Sequence, residues 1–225
     1  MSDGAGGFVA VVEVTHLTKF AVMKTVGESS LVPFIDLGSH FAKKYIENLY
    51  AKGIISGYDT THFAPDDPVS RAELTKVAVN MFGIETLSAE EIGFNPFKDV
   101  AITKWYGPFV HAAMQHGIVS GYSGDLFKPD RSVTRAEALK ILFNAAKIDV
   151  SGVTYDGKFD DVLSKNWYAP YVAFGVFNGI LSGYSDGSFK PDGHLSRGEM
   201  AKIAYMLLEK KLALVVQAVF DAIGS

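Results

Sequence analysis

The chain has 225 residues, 48% of them hydrophobic, a net charge of −4 and no cysteine. That is enough apolar material for a sizeable core. It excludes a disulfide framework and cysteine-based metal or nucleophile chemistry, and the acidic balance points away from nucleic acid. No apolar run reaches the roughly 18–20 residues of a membrane span, so no membrane insertion is expected.

Residues 1–32 stand apart from the rest. Met1–Gly7 has neither the basic stretch nor the apolar segment of a signal peptide. It reads as an arbitrary start or a cut through a longer protein. Phe8, Ala10, Val12 and Val14 alternate in part with polar residues, and Phe20–Met23 follows a short polar break. That is a strand pattern, but two short strands do not make a domain. The segment is expected to be the end of a preceding β domain or a hairpin leaning on the rest of the chain, with Gly27–Ser30 as a linker.

From residue 33 the chain repeats itself. Ser70-Arg71-Ala72-Glu73 returns as Thr134-Arg135-Ala136-Glu137 and Ser196-Arg197-Gly198-Glu199, after 64 and 62 residues. Upstream of each lie a Phe-x-Asp block at Phe34, Phe97 and Phe159, then Gly-Ile-x-Ser-Gly-Tyr from Gly53, Gly117 and Gly179, then Phe-x-Pro-Asp from Phe63, Phe127 and Phe189. Four matched blocks in one order define tandem repeats with expected bounds 33–95, 96–157 and 158–225.

Each unit reads as helix, loop, helix, so the fold class is mainly α. In the second unit Trp105-Tyr106-Gly107-Pro108 leads into the first helix, with proline in its first turn and Gly117 just past its end. Tyr168-Ala169-Pro170 and Gly179 do the same in the third. The first unit lacks both Trp and Pro, so its approach to the helix differs. The second helices carry apolar stripes at helical spacing: Leu74, Val77, Ala78, Met81; Ala138, Ile141, Leu142, Ala145; Met200, Ile203, Ala204, Leu207. One unit of about 60 residues cannot bury such a face alone, so the three must pack on each other. The apolar tail Leu212–Ile223 is expected to continue the last helix.

The Ser/Thr-x-x-Glu elements are capping boxes by pattern, which gives Ser70, Thr134, Ser196, Glu73, Glu137 and Glu199 a structural role. The arginines are less easily absorbed. Each falls at the first helical position, where the helix dipole disfavours a cation by about 0.3–1 kcal/mol. Either an ion pair with the Asp of Phe-x-Asp (Asp36, Asp99, Asp161) or an anionic ligand would account for Arg71, Arg135 and Arg197; helix N-termini point N–H groups at anions and a guanidinium suits carboxylate or phosphate. Lys76, Lys140 and Lys202, five residues on, add charge. Trp105 and Trp167 are expected to be core anchors, with sugar stacking as the alternative. The Asp residues otherwise cap turns. Ser185-Asp186-Gly187 lacks the ligand pattern of a calcium loop. No enzyme signature is present, and the six histidines do not recur at matched positions. No catalytic residue, metal or cofactor is expected.

The order Phe-x-Asp-Val, Trp-Tyr, Gly-Ile-x-Ser-Gly-Tyr, Asp-Gly-x-Phe-x-Pro, Thr-Arg-Ala-Glu resembles the S-layer homology domain, in three copies over residues 33–211. The resemblance implies a pseudo-threefold trimer of helical repeats with grooves between them. It implies that those grooves bind secondary cell-wall polysaccharide through a terminal pyruvylated sugar. Its ligand-binding arginine carries over onto Arg71, Arg135 and Arg197, and its glutamate onto Glu73, Glu137 and Glu199. A pyruvyl ketal carries a carboxylate, the anion such an arginine would take. The implied location is extracellular, in the cell wall or S-layer, with upstream domains of the same polypeptide or lattice neighbours as further partners. Residues His16–Val22 resemble the strand end that precedes such repeats in some large wall proteins. Two departures bear on the grooves: the first repeat lacks the Trp-Tyr pair and the Asp-Gly turn, and the third has Gly198 where alanine is usual, which is expected to loosen its site. The competing readings are the anchor portion of a larger surface enzyme, and a structural scaffold whose arginines pair internally.

Overall fold

The computed structural model describes residues 32–223, with side chains to residue 213. The expected N-terminal strands fall in residues 1–31 and lie outside the described residues. The described part contains six helices: α1 Lys43–Ala51, α2 Arg71–Met81, α3 Gly107–Gln115, α4 Arg135–Ala145, α5 Ala169–Phe177 and α6 Arg197–Ile223. Each repeat contributes one short and one longer helix, and the Leu212–Ile223 tail continues α6.

Local chemistry sets the helix ends. Gly53, Gly117 and Gly179 follow the short helices at φ +69°, +68° and +69°, a left-handed conformation that glycine adopts without strain. The next residue folds back: Ile54 N–H donates to Leu49 C=O at 3.0 Å, Ile118 to Ala113 at 2.8 Å and Ile180 to Gly175 at 2.8 Å. This is the Schellman termination. Pro108 and Pro170 occupy the first turns of α3 and α5. At the second helices the capping boxes close as the pattern requires. Ser70 and Thr134 accept from the N–H groups of Glu73 and Glu137, whose carboxylates return the bond. Ser196 and Glu199 make the same exchange at 3.2 and 3.1 Å.

The repeats join in a ring. α2 packs on α3, α4 on α5, and α6 returns to α1; α2 also touches α4 and α6. Just before the second helices three buried residues bond in a cycle. Val69 N–H donates to Leu195 C=O at 2.9 Å, Leu195 to Val133 at 3.1 Å, and Val133 to Val69 at 3.1 Å. The pseudo-threefold axis passes through this triad. The triad belongs to one continuous apolar core with Leu74, Leu139, Leu142 and Leu207, all fully buried.

Gly198 corrects one expectation. A Cβ there would meet His40 Cε1 at 2.8 Å, Pro65 O at 3.0 Å and Ala42 Cβ at 3.2 Å. His40 immediately precedes Phe41-Ala42, which stand in place of the Trp-Tyr pair in the first repeat. Its Nδ1 accepts from Ala42 N–H at 3.1 Å while Nε2 bonds Asp66 Oδ1 at 3.2 Å. Glycine is therefore what allows the third repeat to close on the first, rather than a flaw that loosens it. Gly198→Ala is expected to lower the stability read from urea unfolding by about 1–3 kcal/mol through overpacking, even though alanine is the better helix former. Adding His40→Ala should recover part of the loss.

Candidate functional site

Each of the three motif arginines crosses to the next repeat. Arg197, on α6, sends Nε to Phe63 O at 2.8 Å, Nη1 to Glu73 Oε1 at 2.8 Å and Nη2 to Ser56 O at 3.1 Å. Arg135, on α4, reaches Phe189 O at 2.9 Å, Glu199 Oε1 at 2.9 Å and Ser182 O at 3.5 Å. Arg71, on α2, reaches Ser120 O at 2.6 Å. Each guanidinium also lies over the phenylalanine of the facing Phe-x-Pro-Asp block, at 4.5–4.8 Å from Phe63, Phe127 or Phe189. The three side chains are only 5–6% exposed. Burial pulls the Arg71 and Arg197 pKa values down, and nearby acidic groups offset this in part: Tyr122 and Glu137 for Arg71, Glu73 and Asp67 for Arg197.

The structure changes two expectations. The arginines do not pair with Asp36, Asp99 or Asp161. Those carboxylates take backbone N–H groups within their own repeat: Asp36 from Phe63 and Ala64, Asp99 from Phe127 and Lys128, Asp161 from Phe189 and Lys190, at 2.7–3.0 Å. Burial alone would push the Asp36 carboxyl up, but its two backbone bonds hold it below the ordinary value. Nor are the helix N-termini open to an anion. The first two N–H groups of each second helix donate to carbonyls of the next repeat: Arg71 to Arg131, Ala72 to Pro129, Arg135 to Gly193, Ala136 to Pro191, Arg197 to Asp67, Gly198 to Pro65, all at 2.7–3.0 Å. The capping serine or threonine takes the third. What remains at the surface is side-chain chemistry.

That chemistry gathers in clefts. The first is lined by Ser56 and Tyr58 of the first loop, Glu73 and Lys76 of α2, Trp105 and Arg197. It therefore draws on all three repeats. The second repeats the plan with Ser120 and Tyr122, Glu137 and Lys140 of α4, Trp167 and Arg71. Their volumes are about 280 and 590 Å³. A third set of equivalent residues surrounds Arg135, with Ser182, Tyr184, Glu199 and Lys202, whose Nζ lies 3.4 Å from Ser182 Oγ.

The tryptophans are not core anchors. Trp105 and Trp167 are 52% and 53% exposed. Each stands edge-on to its neighbouring tyrosine, with centroids 5.4 Å apart. Lys76 Nζ lies 5.7 Å from the Trp105 ring and Lys140 Nζ 5.6 Å from the Trp167 ring. The tryptophans precede α3 and α5 by two residues; Phe41 precedes α1 by two and is also 53% exposed. The first repeat thus keeps an aromatic at this position, which its missing Trp-Tyr pair had hidden.

Three groups went unnoticed in the sequence. Tyr184 Oη donates to Glu199 at 2.7 Å; burial and then that bond push its hydroxyl pKa up to about 12. Tyr122 Oη donates to Glu137 at 2.9 Å. Arg131 bonds both Tyr122 Oη and Glu137. Both tyrosines sit in the matched Gly-Tyr block and were legible there. Arg131 has no counterpart, because Asp67 and Gly193 hold its place in the other repeats.

A family model describing the S-layer homology domain matches residues 33–75, 96–139 and 158–201. Among related proteins, an amylopullulanase of Thermoanaerobacterium thermosulfurigenes is 32% identical over 217 residues, 92% of this chain and 11% of that protein. A surface-layer 125 kDa protein of Lysinibacillus sphaericus is 28% identical over 90% of this chain and 17% of its own length. A cellulosome-anchoring protein of Acetivibrio thermocellus is 27% identical over 69% of this chain and 35% of its own. The chain therefore spans about a third or less of these relatives. Three matched segments, each a capped helix pair closed onto its neighbours, place the chain in the S-layer homology domain family.

Proposed function

We propose that this chain is a non-covalent cell-wall anchoring module, acting at the cell surface, whose grooves take an acidic secondary cell-wall polysaccharide through a terminal pyruvylated sugar. The observation that carries the reading is the composition of the first two grooves. A half-exposed aromatic ring, a lysine beside it and a buried arginine behind it share one concave wall. A sugar ring stacks on an aromatic face, and its carboxylate finds the cations. The ligand residues are Trp105 with Lys76, Trp167 with Lys140, and Lys202 with Arg135; Glu73 and Glu199 orient Arg197 and Arg135, while Glu137 holds Arg131. Asp36, Asp99 and Asp161 hold the loops that form the groove floors. The module itself carries out no catalysis. In relatives named as enzymes this region is a small share of the chain, which suits an anchor joined to catalytic domains.

The scaffold reading has a specific observation too. Arg197 is nearly saturated by protein acceptors, so its first duty is structural. The two readings separate in a pull-down with purified walls. Walls bearing pyruvyl groups should retain the protein, and walls stripped of them should release it. Equal retention would remove the carboxylate from the account, and no retention by either would leave the scaffold alone.

A further inference from the structure

The three grooves share one plan, and one position beside the arginine differs in charge among them. The residue whose carbonyl receives the N–H of the groove arginine is Asp67 for Arg197, Arg131 for Arg71 and Gly193 for Arg135. An acid, a base and no side chain thus occupy the same position beside three equivalent guanidiniums.

The consequence shows in the pairing. In the first and third grooves the glutamate Oε1 holds Nη1 of the groove arginine, as Glu73 holds Arg197 and Glu199 holds Arg135. In the second groove Arg131 and Tyr122 both occupy Glu137 Oε1. Arg71 is displaced from its carboxylate. Its Nη2 keeps Ser120 O, while the buried Nε has no acceptor among the described residues. Arg131 also lies close enough to Arg71 for its charge to oppose it. Charge then differs by groove. In the first, Asp67 and Glu73 balance Arg197 and Lys76. In the third, Glu199 leaves one cation of Arg135 and Lys202 uncompensated. In the second, Glu137 alone faces Arg71, Arg131 and Lys140, which leaves two.

We propose that position 67/131/193 ranks the grooves for anions, with Arg131 making the second groove the dominant site for a carboxylate-bearing sugar, the third intermediate and the first weakest. Arg131 is a specificity-determining residue that acts by occupying Glu137 and releasing Arg71 for the ligand. The proposal rests on the acidic-sugar reading above and adds the order of the sites. A unit charge about 6 Å from the anion, at an effective dielectric between about 40 and 80, changes affinity by roughly three- to tenfold.

The chain contains two tryptophans, and each lines a different groove. Their indole N–H resonances therefore report the first and second grooves separately in one nitrogen–proton correlation spectrum. The probe is a methyl glycoside bearing a 4,6-pyruvyl ketal, with its carboxylate methyl ester as the neutral control. The Trp167 signal should titrate at a concentration at least threefold below that of Trp105. Arg131→Gly should move the Trp167 midpoint up three- to tenfold and leave the Trp105 midpoint in place. Asp67→Arg should move the Trp105 midpoint down, a gain that loss of packing does not produce. Equal midpoints in the parent protein, or a Trp167 midpoint unmoved by Arg131→Gly in a chain whose remaining spectrum is unchanged, would overturn the ranking while leaving the acidic-sugar reading intact. A response to the ester equal to that of the free acid, or no response from either indole, would overturn both.

Discussion

Arg197→Ala should cost about 3–5 kcal/mol of folding stability, the range for breaking a buried ion pair by removing one partner. The reason is local. The side chain holds Glu73 and two loop carbonyls of the first repeat across the closure between the last and first units. Removing it leaves Glu73 Oε1, itself only partly exposed, without its cation, and leaves the carbonyls of Ser56 and Phe63 without a donor. Arg71→Ala should cost much less, about 1–2 kcal/mol, because Glu137 keeps Arg131 and only Ser120 O loses a partner. Urea unfolding of the two variants side by side measures the contrast. Equal losses would mean that Arg131 does not substitute for Arg71 at Glu137.

Binding should show the reverse order. Arg71→Ala should weaken the second groove for the pyruvylated glycoside by roughly 10- to 150-fold, as expected when a charge-assisted hydrogen bond is truncated. Arg71→Lys should recover part of that, since an ammonium cannot engage a carboxylate through two parallel bonds. Calorimetry with the free acid and its ester measures both. A variant that binds as the parent does would take Arg71 out of the contact and leave Lys140 and Arg131 as the carboxylate's partners. The motif-complete second repeat makes Arg135 the obvious target by sequence. Its side chain instead serves the third repeat's loop, and the residue facing the second repeat's groove is Arg71.

That displacement shows where sequence reasoning stops. The helices, their caps and their stops were legible because their causes are local. A Ser/Thr-x-x-Glu box and a glycine after the last turn act within five residues. The need for three units to pack was legible from the apolar stripes. Which arginine meets which glutamate was not, because the ring shifts every contact by one repeat: Arg135 finds Glu199 and Arg197 finds Glu73. The exposure of Trp105 and Trp167 was misjudged for a related reason. An average tryptophan is buried, and only the placement of α2 and α4 relative to the next repeat decides that these two are not. Gly198 reads as a helix weakness until His40, remote in sequence, is found against it.

The cycle of backbone bonds through Val69, Val133 and Leu195 gives this array no end unit. Open solenoids fray from their termini and need special capping faces there. Here the last helix is the neighbour of the first, and detaching any one repeat breaks two of the three bonds at the axis. Partial opening also breaks the first two grooves, each of which takes its loop, its tryptophan and its arginine from three different repeats. Under a steady pull the domain is therefore expected to yield without a gradually loosening intermediate. Its hold should fail at a single yield point rather than one repeat at a time.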